Sequence, residues 1–210
     1  MSLVILGTVA AGLSLAKRFD REICLSRGAI AGVIGMAVLA ASLLRLICGR
    51  EALLSRLLLS EVLGCLLLAC ITDLITCQVY NFVWWISGVA AAGLLWQRWE
   101  AAGEADRLPE LLLFCALQLF LGVRLYGRAD GYAFCVCAGA QAGLGMGMEA
   151  YFIHMTVAFI LLIIVQIFRK NIGQRGRLKK PVPFIPYVTV SFIAMLFFHK
   201  ICGEMVVSLS

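Results

Sequence analysis

The chain has 210 residues, of which 62% are hydrophobic and 14% are charged, and its formal net charge is +6. Soluble domains carry about 25% charged residues, so this composition excludes an ordinary soluble globular protein. The apolar runs are continuous and show no alternation of period two, which favours membrane-spanning helices over a β-barrel.

Eight apolar runs are predicted to be membrane-spanning helices, each of which needs roughly 20 residues. They cover residues 2–16, 29–47, 53–72, 79–97, 109–126, 131–148, 150–168 and 184–201. No basic segment precedes the first run and no small-residue cleavage pattern follows it, so we expect a retained span rather than a signal peptide. No linker divides the chain. The sequence therefore predicts an all-α, polytopic helical membrane protein in which residues 1–210 form a single integral membrane domain.

Basic residues predict how this domain is oriented. They concentrate in the first, fifth and seventh connections: Lys17, Arg18, Arg21 and Arg27; Arg124 and Arg128; and Arg169, Lys170, Arg175, Arg177, Lys179 and Lys180. Odd-numbered connections share one side of the membrane, and the positive-inside rule makes that side cytoplasmic. Both termini are then outside. The net charge thus reflects topology and attraction to membrane lipid, and it requires no nucleic-acid partner.

The nine cysteines do not predict a metal site. No CxxC pair is present, and the Cys135-Val-Cys137 spacing has no second ligand pair to complete a zinc site. Cys65, Cys70 and Cys115 lie inside apolar runs, as do Cys135 and Cys137, and buried cysteine behaves as a small hydrophobe. We expect neither a metal nor a cofactor.

Two aspartates lie at the edges of predicted spans. Asp73 opens the third connection and Asp130 ends the fifth, so both are expected on the cytoplasmic side. Acids at the edge of hydrocarbon are costly and are functional candidates by default. Two such carboxyls sharing one proton are able to activate water. The alternatives are that both acids simply face water at helix ends, or that Arg128 neutralises Asp130.

The residues around these acids resemble those of the type IV prepilin peptidases. In that family an aliphatic residue, a proline and often an asparagine follow the first aspartate by six to eight residues. Here Val79 and Asn81 match, and Tyr80 replaces the proline. The family's second motif is Gly-x-Gly-Asp, which the segment 127–130 matches with Ala129 as the second small residue. The segment 180–187, Lys-Pro-Val-Pro-Phe-Ile-Pro-Tyr, resembles the entry to the family's last helix.

The resemblance covers about residues 53–200 and implies a membrane aspartyl endopeptidase. Such an enzyme cleaves the leader peptide of prepilin-like substrates at the cytoplasmic membrane face, with Asp73 and Asp130 as the catalytic pair. Small residues beside the acid, Gly127 and Ala129, would let the substrate backbone approach, and Asn81 would contact substrate. The family's zinc-binding cysteine motif and its lysine after the second aspartate are absent, so methyltransferase activity is not expected.

A small transporter or a non-catalytic membrane assembly protein is the alternative function. No inverted repeat or pair of broken helices supports the transporter.

Three further features have competing interpretations. Gly139, Gly143 and Gly147 recur every four residues, as do Gly28 and Gly32, which indicates close helix packing more than a hinge or substrate groove. His154, inside the seventh span, is either part of a proton path or bonded once to a neighbouring helix. The tryptophans that bracket the fourth span are expected to anchor it at the interfaces; they are Trp84, Trp85, Trp96 and Trp99.

Overall fold

The structure, a computed structural model, describes residues 1–19, 27–47, 52–102, 108–171 and 182–209. In these ranges the chain forms eight α-helices and no strand. The helices are α1 (Ser2–Phe19), α2 (Arg27–Ile47), α3 (Leu53–Thr76), α4 (Asn81–Ala102), α5 (Leu108–Arg124), α6 (Arg128–Gly143), α7 (Met148–Asn171) and α8 (Ile185–Leu209). The all-α prediction is confirmed, and each helix corresponds to one of the eight predicted apolar runs.

Two helices within the described residues, α3 and α7, are long and apolar enough to cross a membrane. Other helices enclose most of α3, whereas most of α7 is exposed. The exposed apolar side chains of α7 are Ile153, Ile160, Ile163, Ile164, Ile167 and Phe168. A continuous apolar surface of this kind marks contact with a membrane or another protein. The fold is therefore consistent with membrane association.

The core of the bundle is built around α3 and α6. Helix α3 packs against α1, α2, α4 and α8, and α6 packs against α4, α5, α7 and α8. The two central helices also touch each other. Because α3 is apolar on nearly all sides, it can be surrounded in this way without burying many polar groups.

Glycines bring α6 close to α4. A Cβ atom on Gly139 would lie 3.3 Å from the Cβ of Ala91, and one on Gly143 would lie 2.8 Å from the carbonyl carbon of Leu94. The predicted small-residue packing is thus confirmed at these two positions. It is wrong at Gly32, where a Cβ would meet nothing within 4 Å. Gly147 lies between α6 and α7 rather than on a helix face.

The sixth helix is shorter than predicted. The apolar run suggested a helix to residue 148, but α6 ends at Gly143. The amide of Gly145 donates to Ala142 O at 2.9 Å, and the amide of Met146 donates to Gln141 O at 2.9 Å. With Gly145 at φ +83°, these are the bonds of a Schellman motif, which ends a helix whatever the hydropathy of the residues that follow.

The third helix is longer than predicted. It continues past residue 72 to Thr76 and ends where Cys77 adopts the left-handed conformation, at φ 53°. The amide of Cys77 donates to Asp73 O at 2.9 Å. Asp73 therefore belongs to the last turn of α3 instead of opening the connection after it. Likewise, Asp130 lies in the first turn of α6 rather than in the connection before it.

The close packing of α6 on α4 gives a stability prediction. Gly143→Ala places a methyl group against the backbone of Leu94, so we expect a loss of about 1–3 kcal/mol in the free energy of unfolding. Gly88→Ala is the matched control on α4, because a Cβ there meets nothing within 4 Å. It should leave stability unchanged or raise it by up to about 1 kcal/mol. Thermal unfolding of both variants in detergent measures the difference, and equal melting temperatures would contradict the packing.

Candidate active site

Asp73 is a buried acid at the end of α3. Its side chain is 8% exposed, and the residues that precede it on the helix are buried and apolar. A buried carboxyl needs hydrogen-bond donors, because its desolvation is otherwise uncompensated. The fold supplies them from a distant part of the chain.

Those donors are backbone amides at the start of α8. The Ile185 amide donates to Asp73 Oδ2 at 3.2 Å, and the Phe184 amide also bonds the carboxylate. The first amides of a helix have no partner within the helix, and their dipoles favour a negative charge. Asp73 therefore acts as a side-chain cap for α8, and α8 in turn holds the Asp73 carboxylate in one position.

Asp130 is positioned by close contact between α5 and α6. A Cβ on Gly131 would lie 2.8 Å from Gln118 O and 3.4 Å from the Cα of Gly122. A Cβ on Gly122 would likewise lie 2.9 Å from Gly127 O. The backbones of the two helices meet because neither glycine has a side chain. This contact is adjacent to Asp130 and fixes the first turn of α6.

The structure brings the two predicted acids together. Asp73 and Asp130 lie at the same end of the bundle, and the Asp73 carboxyl is close enough to act on the charge of Asp130. The predicted sixth span begins at residue 131, so Asp130 lies just outside it. Burial first, and the Asp73 carboxyl second, raise the pKa of Asp130 from 3.8 to about 7. Arg128, the neighbouring cation, is exposed in the first turn of α6.

Of the predicted small residues, Gly127 lies closest to an acid. A Cβ on Gly127 would be 3.1 Å from Asp130 Oδ2, and its φ of 155° is one that residues with a side chain rarely adopt. A side chain at this position would therefore crowd the Asp130 carboxyl. Ala129 is half-buried and packs against the apolar core.

Asn81 lies in a neighbouring groove rather than beside a carboxyl. It is the exposed first residue of α4, and with Trp84, Trp85 and Tyr132 it lines a cavity of about 450 Å³. Tyr132 follows Asp130 by two residues on α6, so the groove runs along the same helix turn as the acid. Trp84 is buried and packs against Tyr132 with ring centroids 6.4 Å apart, which corrects its assignment as an interfacial anchor.

His154 is explained by one hydrogen bond to a neighbouring helix. Its Nε2 lies 2.9 Å from Val188 O on α8, and the side chain is 1% exposed. The rings of Phe134 and Phe192 enclose it, with centroids 5.5 Å and 5.9 Å away. The structure thus favours the second interpretation of His154, because its imidazole has a hydrogen-bond partner on a neighbouring helix and lies inside an aromatic cluster.

Sequence reasoning missed Glu61. This acid lies in the middle of the predicted third span, twelve residues before Asp73. It accepts a hydrogen bond of 2.7 Å from the Thr8 hydroxyl of α1. A single acid inside an apolar run was the signal that identifies it, since intramembrane acids are functional candidates by default.

Among the described residues, no three His, Cys, Asp or Glu side chains are grouped so that they could hold a metal ion. The cysteines of the apolar runs, Cys65, Cys70, Cys115, Cys135 and Cys137, carry free thiols. No protein-family model, no curated protein and no solved structure matches this chain significantly.

The capping of α8 by Asp73 is testable by stability. Asp73→Leu removes the acceptor and leaves buried amides unpaired, so we expect a loss of about 1–3 kcal/mol in the free energy of unfolding. Asp73→Asn keeps an oxygen acceptor and should lose less. Unfolding of both variants in the same detergent gives the comparison, and a leucine variant as stable as the asparagine variant would rule out the cap.

Proposed function

We propose that this protein is a membrane-embedded aspartyl endopeptidase that cleaves the leader peptide of prepilin-like substrates. The observation that carries the proposal is the placement of two carboxyls, Asp73 of α3 and Asp130 of α6, at one end of the bundle, near enough that the charge of Asp73 raises the pKa of Asp130. Gly127, which has no side chain, lies directly against the Asp130 carboxyl. This arrangement supplies what a two-carboxyl hydrolase needs.

The proposal includes a multi-pass topology in which the eight predicted apolar runs span the membrane. Apolar side chains on the outer surface of helices other than α7 support it. Among the most exposed are Trp85 and Val89 on α4, Leu112, Leu113 and Phe120 on α5, and Phe198 on α8. Lipid covers such surfaces at no cost, whereas water does not.

The active site is proposed to face the cytoplasm. Lys17 and Arg18 lie in the last turn of α1, and Arg124 lies in the last turn of α5. In an antiparallel bundle these helix ends share the side on which α3 ends and α6 begins, which is the side of both aspartates. The positive-inside rule assigns that side to the cytoplasm.

The two acids have different environments, and these suggest different roles. The amide of Ile185 donates to the Asp73 carboxyl and holds it in one orientation, so Asp73 is assigned as the base that takes a proton from the attacking water. Asp130, with its pKa near 7, keeps a proton and donates it to the oxygen of the scissile carbonyl. A dyad of this kind needs one carboxyl of each type near neutral pH.

Substrate would reach the dyad along the first turns of α4 and α6. Gly127 and Ala129 keep the approach to Asp130 free of large side chains. The groove lined by Asn81, Trp84 and Tyr132 offers aromatic walls with an amide at the edge. An extended segment leading into an apolar stretch fits this surface, because the amide pairs with backbone groups and the rings cover apolar side chains.

The central prediction concerns the dyad itself. Asp73→Asn and Asp130→Asn should each abolish leader cleavage, a loss of at least about 10³-fold, because water activation needs both carboxyls. The assay is co-expression with a short protein that carries a basic leader before an apolar stretch, read as a size shift. Glu149→Gln is the matched control, since Glu149 is exposed at the start of α7, at the opposite end of the bundle.

Membrane insertion of each variant is checked by fractionation, so that loss of cleavage is separated from loss of the protein. Normal cleavage by either asparagine variant would contradict the assignment of Asp73 and Asp130 as the catalytic pair. A solute flux or a partner interaction that survives the loss of both acids would favour the transporter or assembly alternative.

The pH dependence of cleavage provides a second prediction. Because the pKa of Asp130 is raised to about 7, this acid is protonated below neutrality and loses its proton as the pH rises through that value. We therefore expect kcat/KM to fall above about pH 7, with the loss following one ionisation. Steady-state cleavage of a leader peptide by the reconstituted protein measures the profile. A rate that stays constant from pH 6 to about 9 would contradict the acid role of Asp130.

A further inference from the structure

Glu61 places a second ionisable site on α3, well away from the aspartates. It lies eight residues into a 24-residue helix that is long and apolar enough to cross a membrane. At 1.5 Å per residue, Glu61 is roughly 12 Å from the start of α3 and roughly 18 Å from Asp73 along the helix axis. Glu61 therefore lies about a third of the way along this candidate span.

The Glu61 side chain opens into a cavity between α1, α3 and α4. The cavity has a volume of about 300 Å³ and is bounded on the α1 side by small residues, including Gly7, Ala11 and Gly12. Phe82 of α4 contributes an aromatic ring at one end. A volume of this size corresponds to the lower end of small-molecule sites.

The donors around Glu61 are both neutral. The Thr8 hydroxyl donates to Oε2 at 2.7 Å, and the Cys65 thiol lies 4.0 Å from Oε1. Among the described residues that line the cavity, Glu61 is the only one with a formal charge, and none is basic. A carboxylate in these surroundings has hydrogen bonds but no counter-charge.

We propose that the Glu61 cavity binds a compact apolar cation, of the quaternary ammonium class. The carboxylate supplies the counter-charge, the Phe82 ring attracts a cation, and the glycine and alanine wall accommodates an apolar body. A bare metal ion does not fit, because Glu61 and Thr8 provide too few oxygen ligands and the other walls are apolar. This site is independent of the proposed peptidase activity.

The test uses benzyltrimethylammonium and its uncharged carbon isostere, neopentylbenzene, with the full-length protein in nanodiscs. We expect saturable binding of the cation by calorimetry or equilibrium dialysis. Glu61→Gln should weaken that binding at least about tenfold, since the counter-charge is lost, and Glu61→Asp should retain part of it. Neopentylbenzene should bind wild type and Glu61→Gln alike. Glu149→Gln is the charge-matched control and should bind the cation as wild type does.

A second variant keeps the test decisive if Glu61→Gln fails to fold. Gly7→Leu fills the cavity from the α1 side, where a Cβ meets nothing within 4 Å, and leaves Glu61 unchanged. It should abolish cation binding while preserving the helical circular dichroism of the protein. The proposal is overturned if wild type shows no saturable binding, if the uncharged isostere competes equally well, or if folded Gly7→Leu binds normally.

Discussion

The hydrogen bond between the Asp73 carboxylate and the start of α8 joins two helices that are far apart in the sequence. Asp73 and Ile185 are separated by 112 residues, and their hydrogen bond is buried. One turn earlier on α3, the Cys70 thiol lies 3.1 Å from the Thr189 hydroxyl, which donates to Ile185 O at 3.0 Å. The seam between α3 and α8 is therefore polar at its end, and each polar group in it has a partner. Both the position of α8 and the orientation of the acid depend on this seam.

A second constraint places α6 against this seam. Glycines on α6 allow backbone contact with α5 near Gly131 and with α4 near Gly143. Contacts of this kind tolerate almost no displacement, because neither side has a flexible side chain that could adjust. Asp130 lies at the end of α6 where the α5 contact is made. The location of Asp130 thus depends on glycines that let helix backbones touch, whereas the location of Asp73 depends on hydrogen bonds to α8.

The number and order of the helices were predictable because each apolar run is long and ends at polar residues, glycine or proline. The shared end of Asp73 and Asp130 was predictable too, since the apolar runs placed both acids at odd-numbered connections, and the structure places them in the adjoining helix turns. The exact helix ends were not: α3 reaches Thr76 and α6 stops at Gly143 because of local hydrogen bonds that hydropathy does not encode. The capping of α8 by Asp73 also requires a tertiary contact, which a pattern within one helix cannot reveal.

Two residues differ from the prepilin peptidase motifs that the sequence resembles, and the structure shows how each of them packs. Tyr80, which replaces the family's proline, is half-buried and stacks on Phe82 with centroids 6.0 Å apart. An aromatic residue here stabilises the connection between α3 and α4 by packing, where a proline would stiffen it through its fixed φ. Ala129, in place of glycine, points its small methyl group into the core. Gly127 is the small residue that lies against the Asp130 carboxyl.

Helix α3 carries two acids, Glu61 and Asp73, which lie in different environments. Twelve residues correspond to a rotation of about 120° around an α-helix, so Glu61 and Asp73 face different neighbours as well as different depths. Asp73 is held by backbone amides, which are fixed donors that cannot rotate away. Glu61 is held by a hydroxyl and a thiol on rotatable side chains, and it opens into a cavity. A fixed carboxylate suits chemistry that requires one geometry, whereas an adjustable carboxylate beside empty space suits reversible binding of a ligand. The same helix therefore presents two carboxyl groups in distinct surroundings, one for each of the two proposed sites.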